Sequence, residues 1–75
     1  MQGREDLENR AIEAARGYCA ARGWSVTQIR VTATVTSPQS QVLWVRVRPA
    51  NNGEDGREFR YVVDMHGVGT LAPVD

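Results

Sequence analysis

Three stretches downstream of residue 28 alternate between apolar and polar residues, which is typical of β-strands that bury one face. They run from Ile29 to Val35, from Val42 to Val47 and from Glu58 to Met65. In all three the apolar residues are the odd-numbered ones: Ile29, Val31, Ala33, Val35, Leu43, Val45, Val47, Phe59, Tyr61, Val63 and Met65. A sheet built from these strands has one continuous apolar face, which needs a covering layer.

The covering layer is predicted upstream, where the residues from Arg4 to Arg22 are rich in helix-forming types. One stripe of this segment at helical spacing consists of Leu7, Ala11, Ala14, Ala15, Tyr18 and Ala21, widened on one side by Ile12 and Cys19. Gly23 follows as a residue suited to the left-handed conformation that ends many helices. The pattern predicts a single two-layer α+β domain over residues 1–75, with one N-terminal helix packed on an antiparallel meander sheet.

The connectors between the strands contain Pro, Gly, Asn and Ser, so sequential antiparallel hairpins are the simplest connection. They are TSPQSQ, from Thr36 to Gln41, and PANNGEDG, from Pro49 to Gly56. Gly67 stands where a turn with a bulge needs a left-handed residue, which allows a short fourth strand at Val68 to Leu71. The sheet is accordingly predicted to have three or four strands.

The stretch WSVTQIRVTATV, which begins at Trp24, changes the phase of its apolar residues. Trp24 and Val26 are even-numbered, whereas the apolar residues from Ile29 onwards are odd-numbered. An extra residue near Thr27 and Gln28, forming a β-bulge, would turn both groups towards the helix. Alternatively, the first four residues belong to the connection, with Trp24 folded under the helix end. Both interpretations make Trp24 structural, and a third leaves it exposed as a binding anchor.

Size and charge restrict the partners that this chain can have. A domain of 75 residues has a thin core, which a partner or a second copy can complete. Nine arginines, with no lysine, balance nine acidic residues, and this zero net charge argues against a general polyanion binder. The single Cys19 cannot form an internal disulfide, and no apolar run is long enough to span a membrane, so a reduced, cytoplasmic location is expected.

Few residues of the chain have side chains that could catalyse a reaction or bind a metal ion. Asp64 stands two residues before His66, the only histidine, but nothing in the spacing brings a nucleophile near them. Cys19 is predicted to be a small buried hydrophobe. A lone histidine with a lone cysteine falls short of a zinc site, and NNGEDG lacks the spaced carboxylates of a calcium loop. We therefore expect no enzymatic activity, no cofactor and no small-molecule substrate.

The polar face of the predicted sheet carries the most informative residues. Trp44 lies in the middle strand among arginines, and these two residue types are enriched at binding hot spots. The residues predicted to bind a partner are Trp44, Arg46, Arg48, Arg30, Arg60, Val42 and Val62. Of two registers that keep the apolar faces together, we prefer the one that sets Arg46 opposite Glu58, because the other apposes Arg46 and Arg60. The preferred register also sets Trp44 opposite Arg60.

The expected function is that of a small non-catalytic protein-binding module, such as an inhibitor or an accessory subunit. It would use the face around Trp44 or an exposed strand edge, and its partner would be another protein or a second copy of the chain. A nucleic-acid-binding accessory protein that uses the arginine-rich face is the alternative, and an ordinary solvent-exposed sheet face is the third interpretation. Salt dependence separates the first two, since phosphate contacts weaken steeply with salt.

A helix followed by strands, with a tryptophan in the central strand, FRYVVD in the next and an HG turn after it, resembles the PepSY type of small bacterial domain. The residues that carry this resemblance are Trp44, Tyr61, Val63, Asp64 and Gly67, in the last half of the chain. Domains of that type are often secreted and suspected of inhibition. This sequence shows no charged stretch followed by an apolar run near Met1, and the function of the family is not carried over.

Overall fold

The computed structural model describes residues 4–50 and 56–74, which form one helix and four strands. The helix α1 spans Arg4–Ala21, and the strands are β1 (Val26–Thr36), β2 (Ser40–Pro49), β3 (Arg57–Asp64) and β4 (Gly69–Val74). The strands form one antiparallel sheet in the order β1-β2-β3-β4, and α1 packs on one face of it. The predicted α+β meander is confirmed, with the fourth strand present. The turn predicted at NNGEDG falls almost entirely outside the described residues.

The C-terminal end of α1 is a Schellman motif around Gly23, which has a φ of 70°. The amide of Trp24 donates to the carbonyl of Cys19 at 2.9 Å, and the amide of Gly23 donates to the carbonyl of Ala20 at 3.1 Å. The rings of Trp24 and Tyr18 lie 6.0 Å apart between centroids, which supplies the apolar contact that often accompanies this motif. Gly23 therefore ends the helix as predicted.

The core lies between α1 and the face of the sheet that meets it, which we call the inward face. Its buried residues are Leu7, Ala11, Ala15, Cys19, Leu43, Val45, Val47, Phe59, Tyr61 and Val63. The four from the helix recur every four positions, and a row of that spacing turns slowly around the helix axis. Ala21, which the predicted stripe included, is exposed because the buried row has turned away from it by the last residue of the helix.

Strands β2 and β3 pair in the register that the charges favoured. Arg46 lies opposite Glu58, and Trp44 lies opposite Arg60. A shift of two residues would have kept the apolar faces together but apposed Arg46 and Arg60, which is unfavourable. The predicted register is confirmed.

A four-residue loop, residues 65–68, joins β3 to β4 and depends on Gly67, which has a φ of 82°. The amide of Gly67 donates to the carbonyl of Asp64 at 3.0 Å, as in a turn followed by a left-handed residue. Oδ1 of Asp64 accepts from the amides of His66 at 2.8 Å and Val68 at 3.0 Å. Nη2 of Arg10 in α1 donates to the carbonyl of Gly67 at 2.8 Å, so the helix is tied to this loop.

Strand β1 contains a bulge at Thr27, where its register against β2 shifts between Val26 and Gln28. Because of the extra residue, Val26 packs against the core as Ile29 does. The predicted bulge is confirmed. Trp24 lies ahead of the strand, in the connection, and also packs against the core, so the structural interpretation of this residue is confirmed as well.

A second bulge in β1, which the alternation did not predict, lies at Thr32. Val31 is opposite Val45 on the inward face, and the register then shifts so that Ala33 is opposite Trp44. A bulge sets two residues of one strand against one of its neighbour, so every later residue points to the other face. The end of β1 is therefore reversed relative to the predicted alternation.

This reversal corrects the predicted directions of Ala33 and Val35, which do not face the helix. Val35 lies opposite Val42 on the far face and is 56% exposed, whereas Thr34 lies inward, opposite Leu43. The prediction for Met65 is also wrong: it lies in the loop after β3 and is 73% exposed. The strand ends before Met65 because Asp64 already accepts the hydrogen bonds that close the loop.

Candidate functional site

The outward face of the sheet, turned away from α1, carries three central rows of side chains. From β1 to β4, these rows are Arg30, Arg46, Glu58 and Val74; Ala33, Trp44, Arg60 and Ala72; and Val35, Val42, Val62 and Thr70. The seven residues predicted to bind a partner all lie on this face, with Arg48 just beyond the first row. The helix of the described part of the chain packs on the other face, so within that part the outward face has no covering layer.

Trp44 lies at the middle of the outward face and is half-buried. Arg60 places its guanidinium carbon 6.0 Å from the centroid of the indole, at the outer limit of a cation–π contact. The carbonyl of Trp44 accepts a hydrogen bond from the hydroxyl of Thr32 at 3.3 Å. This hydrogen bond holds Thr32, the bulge residue of β1, against β2, the strand that carries Trp44.

The second bulge gives Trp44 apolar neighbours that the sequence prediction missed. Together they form what we call the apolar patch: Ala33, Val35, Val42, Trp44 and Val62. The sequence prediction included the last three and placed the first two in the core. The sequence carried little sign of the exchange, because residues 31–36 alternate Thr with Val or Ala, and these residue types suit either face of a strand.

The end of the outward face towards the β2–β3 connection is basic. Arg30 lies directly opposite Arg46, an unfavourable pairing of like charges. The guanidinium of Arg46 lies over Gly56, where a Cβ would stand 3.3 Å from both Nε and Nη2. No ion pair joins Arg46 to Glu58, although the two lie opposite each other. With Arg48 exposed as well, this end combines three arginines with one acidic residue among the described residues.

Both edges of the sheet carry features that hinder pairing with a further strand. β1 is interrupted by the bulges at Thr27 and Thr32, and β4 contains Pro73, which has no amide hydrogen. Bulges and prolines are means by which natural edge strands avoid association. The face is therefore a better docking surface than either edge.

A cleft of about 350 Å³ lies beside Trp24 at the end of α1. The guanidinium carbon of Arg57 is 4.1 Å from the indole centroid of Trp24, and that of Arg22 is 3.5 Å from the ring centroid of Tyr18. Tyr18 also meets Phe59 edge-on, with 4.9 Å between centroids. These stacked contacts fix Trp24 to the body of the domain.

Two titratable groups outside the three central rows, Cys19 and Asp64, have shifted pKa values. Burial raises the pKa of the Cys19 thiol, and Arg57 and Arg22 oppose that shift only in part. Cys19 is 1% exposed, so its predicted burial is confirmed. Hydrogen bonds from the amides of Val68 and then His66 lower the pKa of Asp64. The carboxylate that precedes His66 in the sequence thus binds backbone amides of the loop.

Among the described residues, no three His, Cys, Asp or Glu side chains are grouped so that they could hold a metal ion. No helix of that part of the chain is long and apolar enough to cross a membrane. No family model, no curated protein and no solved structure matches the chain. The resemblance to PepSY domains gains no support from these comparisons, so function has to be inferred from the outward face itself.

Proposed function

We propose that this chain is a small non-catalytic protein-binding module, of the inhibitor or accessory-subunit kind, that docks on a protein through the outward face. The observation that carries the proposal is the uncovered apolar patch with Trp44 at its centre. Contiguous apolar surface on a small protein marks interaction sites, and an aromatic anchor with arginines around it has the composition of a hot spot.

Docking would remove the remaining exposed surface of Trp44 and Val35 from water. Fully burying a large apolar side chain contributes about 1.5–3 kcal/mol, so these two residues supply a substantial part of a useful affinity. The arginines beside the apolar patch, Arg46, Arg48 and Arg60, are exposed and would make the polar contacts that accompany the apolar centre of a typical interface. A free, buried Cys19 fits a reducing compartment such as the cytoplasm.

Site-specific photo-crosslinking in the cells that make the protein tests this proposal. A photoreactive amino acid in place of Ala72, in the Trp44 row, should yield a covalent adduct with a protein. The same amino acid in place of Ala20, on the exposed side of α1, should yield none. Trp44→Ala should abolish the adduct from position 72. If position 72 gives no adduct, or only the adduct that position 20 gives, the proposal is wrong.

A second candidate function is nucleic-acid binding, and the basic end of the outward face favours it. Arg30, Arg46 and Arg48 could contact phosphates while Trp44 stacks on a base. The apolar patch fits this function less well, because it would remain in water. Titration of labelled single- and double-stranded oligonucleotides at low and moderate salt separates the two functions. Binding that weakens steeply with salt supports the second function, and no binding at low salt excludes it.

A further inference from the structure

We infer that the partner of the outward face is a second copy of this chain, related to the first by a two-fold axis parallel to the strands and midway between β2 and β3. This inference rests on the proposed function, since it names the partner of the same face. The two sheets would pack face to face, about 10 Å apart, with their inner side chains interdigitated. Such an interface is isologous: if one residue contacts another, the reverse contact also occurs.

The register of the sheet determines the contacts in this arrangement. A half-turn about the axis exchanges β2 with β3 and β1 with β4, and it keeps every row at its own level. Each outward side chain therefore faces the copy of its own cross-strand neighbour. Packed sheets are rotated by about 30° relative to each other, so the match is closest in the central rows and near the axis.

The residues that meet in this way are complementary in charge and polarity. Arg46 faces Glu58 of the second copy, which brings a guanidinium to a carboxylate twice across the interface. No ion pair joins Arg46 to Glu58 within the chain, so neither group has to leave the other to form the contact. In the next row, the Trp44 indole faces a second Arg60 guanidinium.

The third row completes the apolar centre. Val42 faces Val62 of the second copy, and at the sides Val35 faces Thr70. Arg30 and Arg48 lack an acidic counterpart, but they lie at the rim, where water and salt screen their repulsion.

Two arrangements with a two-fold axis across the strands are less favourable. An axis across the strands reverses the order of the rows and sets each strand on its own copy. If it passes through the Trp44 row, Arg60 meets Arg60. If it passes between that row and the Val42 row, Glu58 meets Asp64. Like charges apposed in an interface oppose association. The axis parallel to the strands avoids both conflicts and keeps Val42 against Val62.

The size of the face indicates a weak dimer. Three rows along strands spaced about 4.8 Å apart cover on the order of 400 Å² on each copy. Stable interfaces of standard size bury about 800 Å² on each partner, so we expect a dissociation constant in the micromolar range or weaker. Association is therefore to be sought from micromolar to millimolar chain concentrations.

Mixing two charge-reversal variants tests the inference. Arg46→Glu would set a carboxylate against Glu58 of the second copy, and Glu58→Arg would set a guanidinium against Arg46 of the second copy. Each variant alone should dimerise at least about tenfold more weakly than the wild type in sedimentation equilibrium. In the mixed dimer, each contact pairs an acidic position of the first variant with a basic position of the second, because the first variant carries carboxylates and the second guanidinium groups at both 46 and 58. An equimolar mixture should therefore associate close to the wild type, and a mixture that associates as weakly as the single variants would overturn the inference.

A second test is the double exchange Arg46→Glu with Glu58→Arg in one chain. It restores a guanidinium opposite a carboxylate at both contacts of the two-fold dimer, so it should regain association close to that of the wild type. The double variant also has to be folded, which circular dichroism checks. Association that stays as weak as in the single variants would overturn the inference.

Matched controls reverse the charges of the pair on the outer side of α1, where Nη1 of Arg16 lies 2.6 Å from Oε1 of Glu13. Glu13→Arg and Arg16→Glu should associate like the wild type.

The inference is also overturned if the wild type stays at 8.3 kDa up to millimolar concentration. A monomer whose position 72 still crosslinks to a heavier protein overturns this inference and leaves the proposed function standing; no crosslink at all overturns the proposed function too.

Discussion

Ala33 lies opposite Trp44 across β1 and β2, where an unbroken ladder continued from the pair Ile29–Val47 would have placed Thr32. The inserted residue moves Ala33 and the following Val35 from the core to the outward face. A regular β1 would have surrounded the indole with threonines on that side. The apolar patch, and with it the proposed docking surface, is therefore a consequence of one bulge.

Replacing Thr34 tests the bulge through stability. Oγ1 of Thr34 is buried, and within the described structure it has no hydrogen-bond partner. Thr34→Val removes this unsatisfied hydroxyl at nearly constant volume, so it should raise the free energy of unfolding by about 1 kcal/mol in urea denaturation. Thr32→Val is the matched control: the Thr32 hydroxyl donates to Trp44, so its loss should not stabilise the fold. A neutral Thr34→Val would contradict the inward position of this residue.

A carboxylate introduced on the outward face and one introduced in the core should have opposite effects on folding. Val35→Asp places a carboxylate on the outward face, where Val35 is 56% exposed, and should change the free energy of unfolding by less than about 1 kcal/mol. Val45→Asp buries the same group in the core, where Val45 is fully buried, and should prevent folding. Circular dichroism of both variants during urea denaturation measures this. Unfolding by Val35→Asp would show that the alternation continues through Thr32 after all.

Much of the fold followed from the sequence because its signals were local and agreed with one another. Alternation fixed the faces of β2 and β3, and the conflict between Arg46 and Arg60 in the rejected register fixed their pairing. Gly23 and Gly67 marked the helix end and the last hairpin through their left-handed conformations. These predictions succeeded because a change of polarity, a pair of like charges or a left-handed glycine each restricts the local structure strongly.

The second bulge was not predictable in the same way. Thr, Val and Ala all fit both a buried and a solvated sheet face. The polarity of residues 31–36 therefore does not indicate where the inward and outward positions of the strand are exchanged. Thr34 faces inward in place of Ala33 although its buried hydroxyl has no hydrogen-bond partner within the described structure, so hydrophobicity alone would not have indicated the exchange. Consequently Trp44 and the arginines of the candidate site were predicted, whereas Ala33 and Val35 were not.

Replacing two of the glycines with alanine should change the free energy of unfolding in opposite directions. A Cβ at Gly69 would overlap the phenol of Tyr61, which is buried in the core, so Gly69→Ala should destabilise the domain by about 1–3 kcal/mol. A Cβ at Gly17, on the exposed side of α1, would meet nothing within 4 Å, so Gly17→Ala should stabilise it by about 0.5–1 kcal/mol. Thermal or urea unfolding of the pair checks both signs. Equal effects would indicate that Tyr61 does not occupy the space above Gly69.

Asp64 should titrate below its usual value of 3.8, because the amides of Val68 and His66 donate to the ionised carboxylate. A carboxyl with a lowered folded pKa adds stability above its unfolded pKa, and that contribution is lost as the pH falls through the folded pKa. The loop should therefore weaken only below about pH 4. Carbon NMR of the Asp64 carboxyl, followed with the amide signals of His66 and Val68, measures the midpoint. A midpoint at or above 3.8 would contradict the hydrogen bonds of this loop.

The central claim is that a protein covers the outward face, and Trp24 provides an internal reference for testing it. Trp44 lies on that face, whereas Trp24 is fixed by contacts with Tyr18 and Arg57 within the domain. The measurement is hydroxyl-radical oxidation of both tryptophans, read by mass spectrometry, in dilute purified protein and in the cells that make it. We predict that the ratio of Trp44 to Trp24 oxidation falls severalfold in the cells, because an interface excludes water from its centre. An unchanged ratio would contradict the claim.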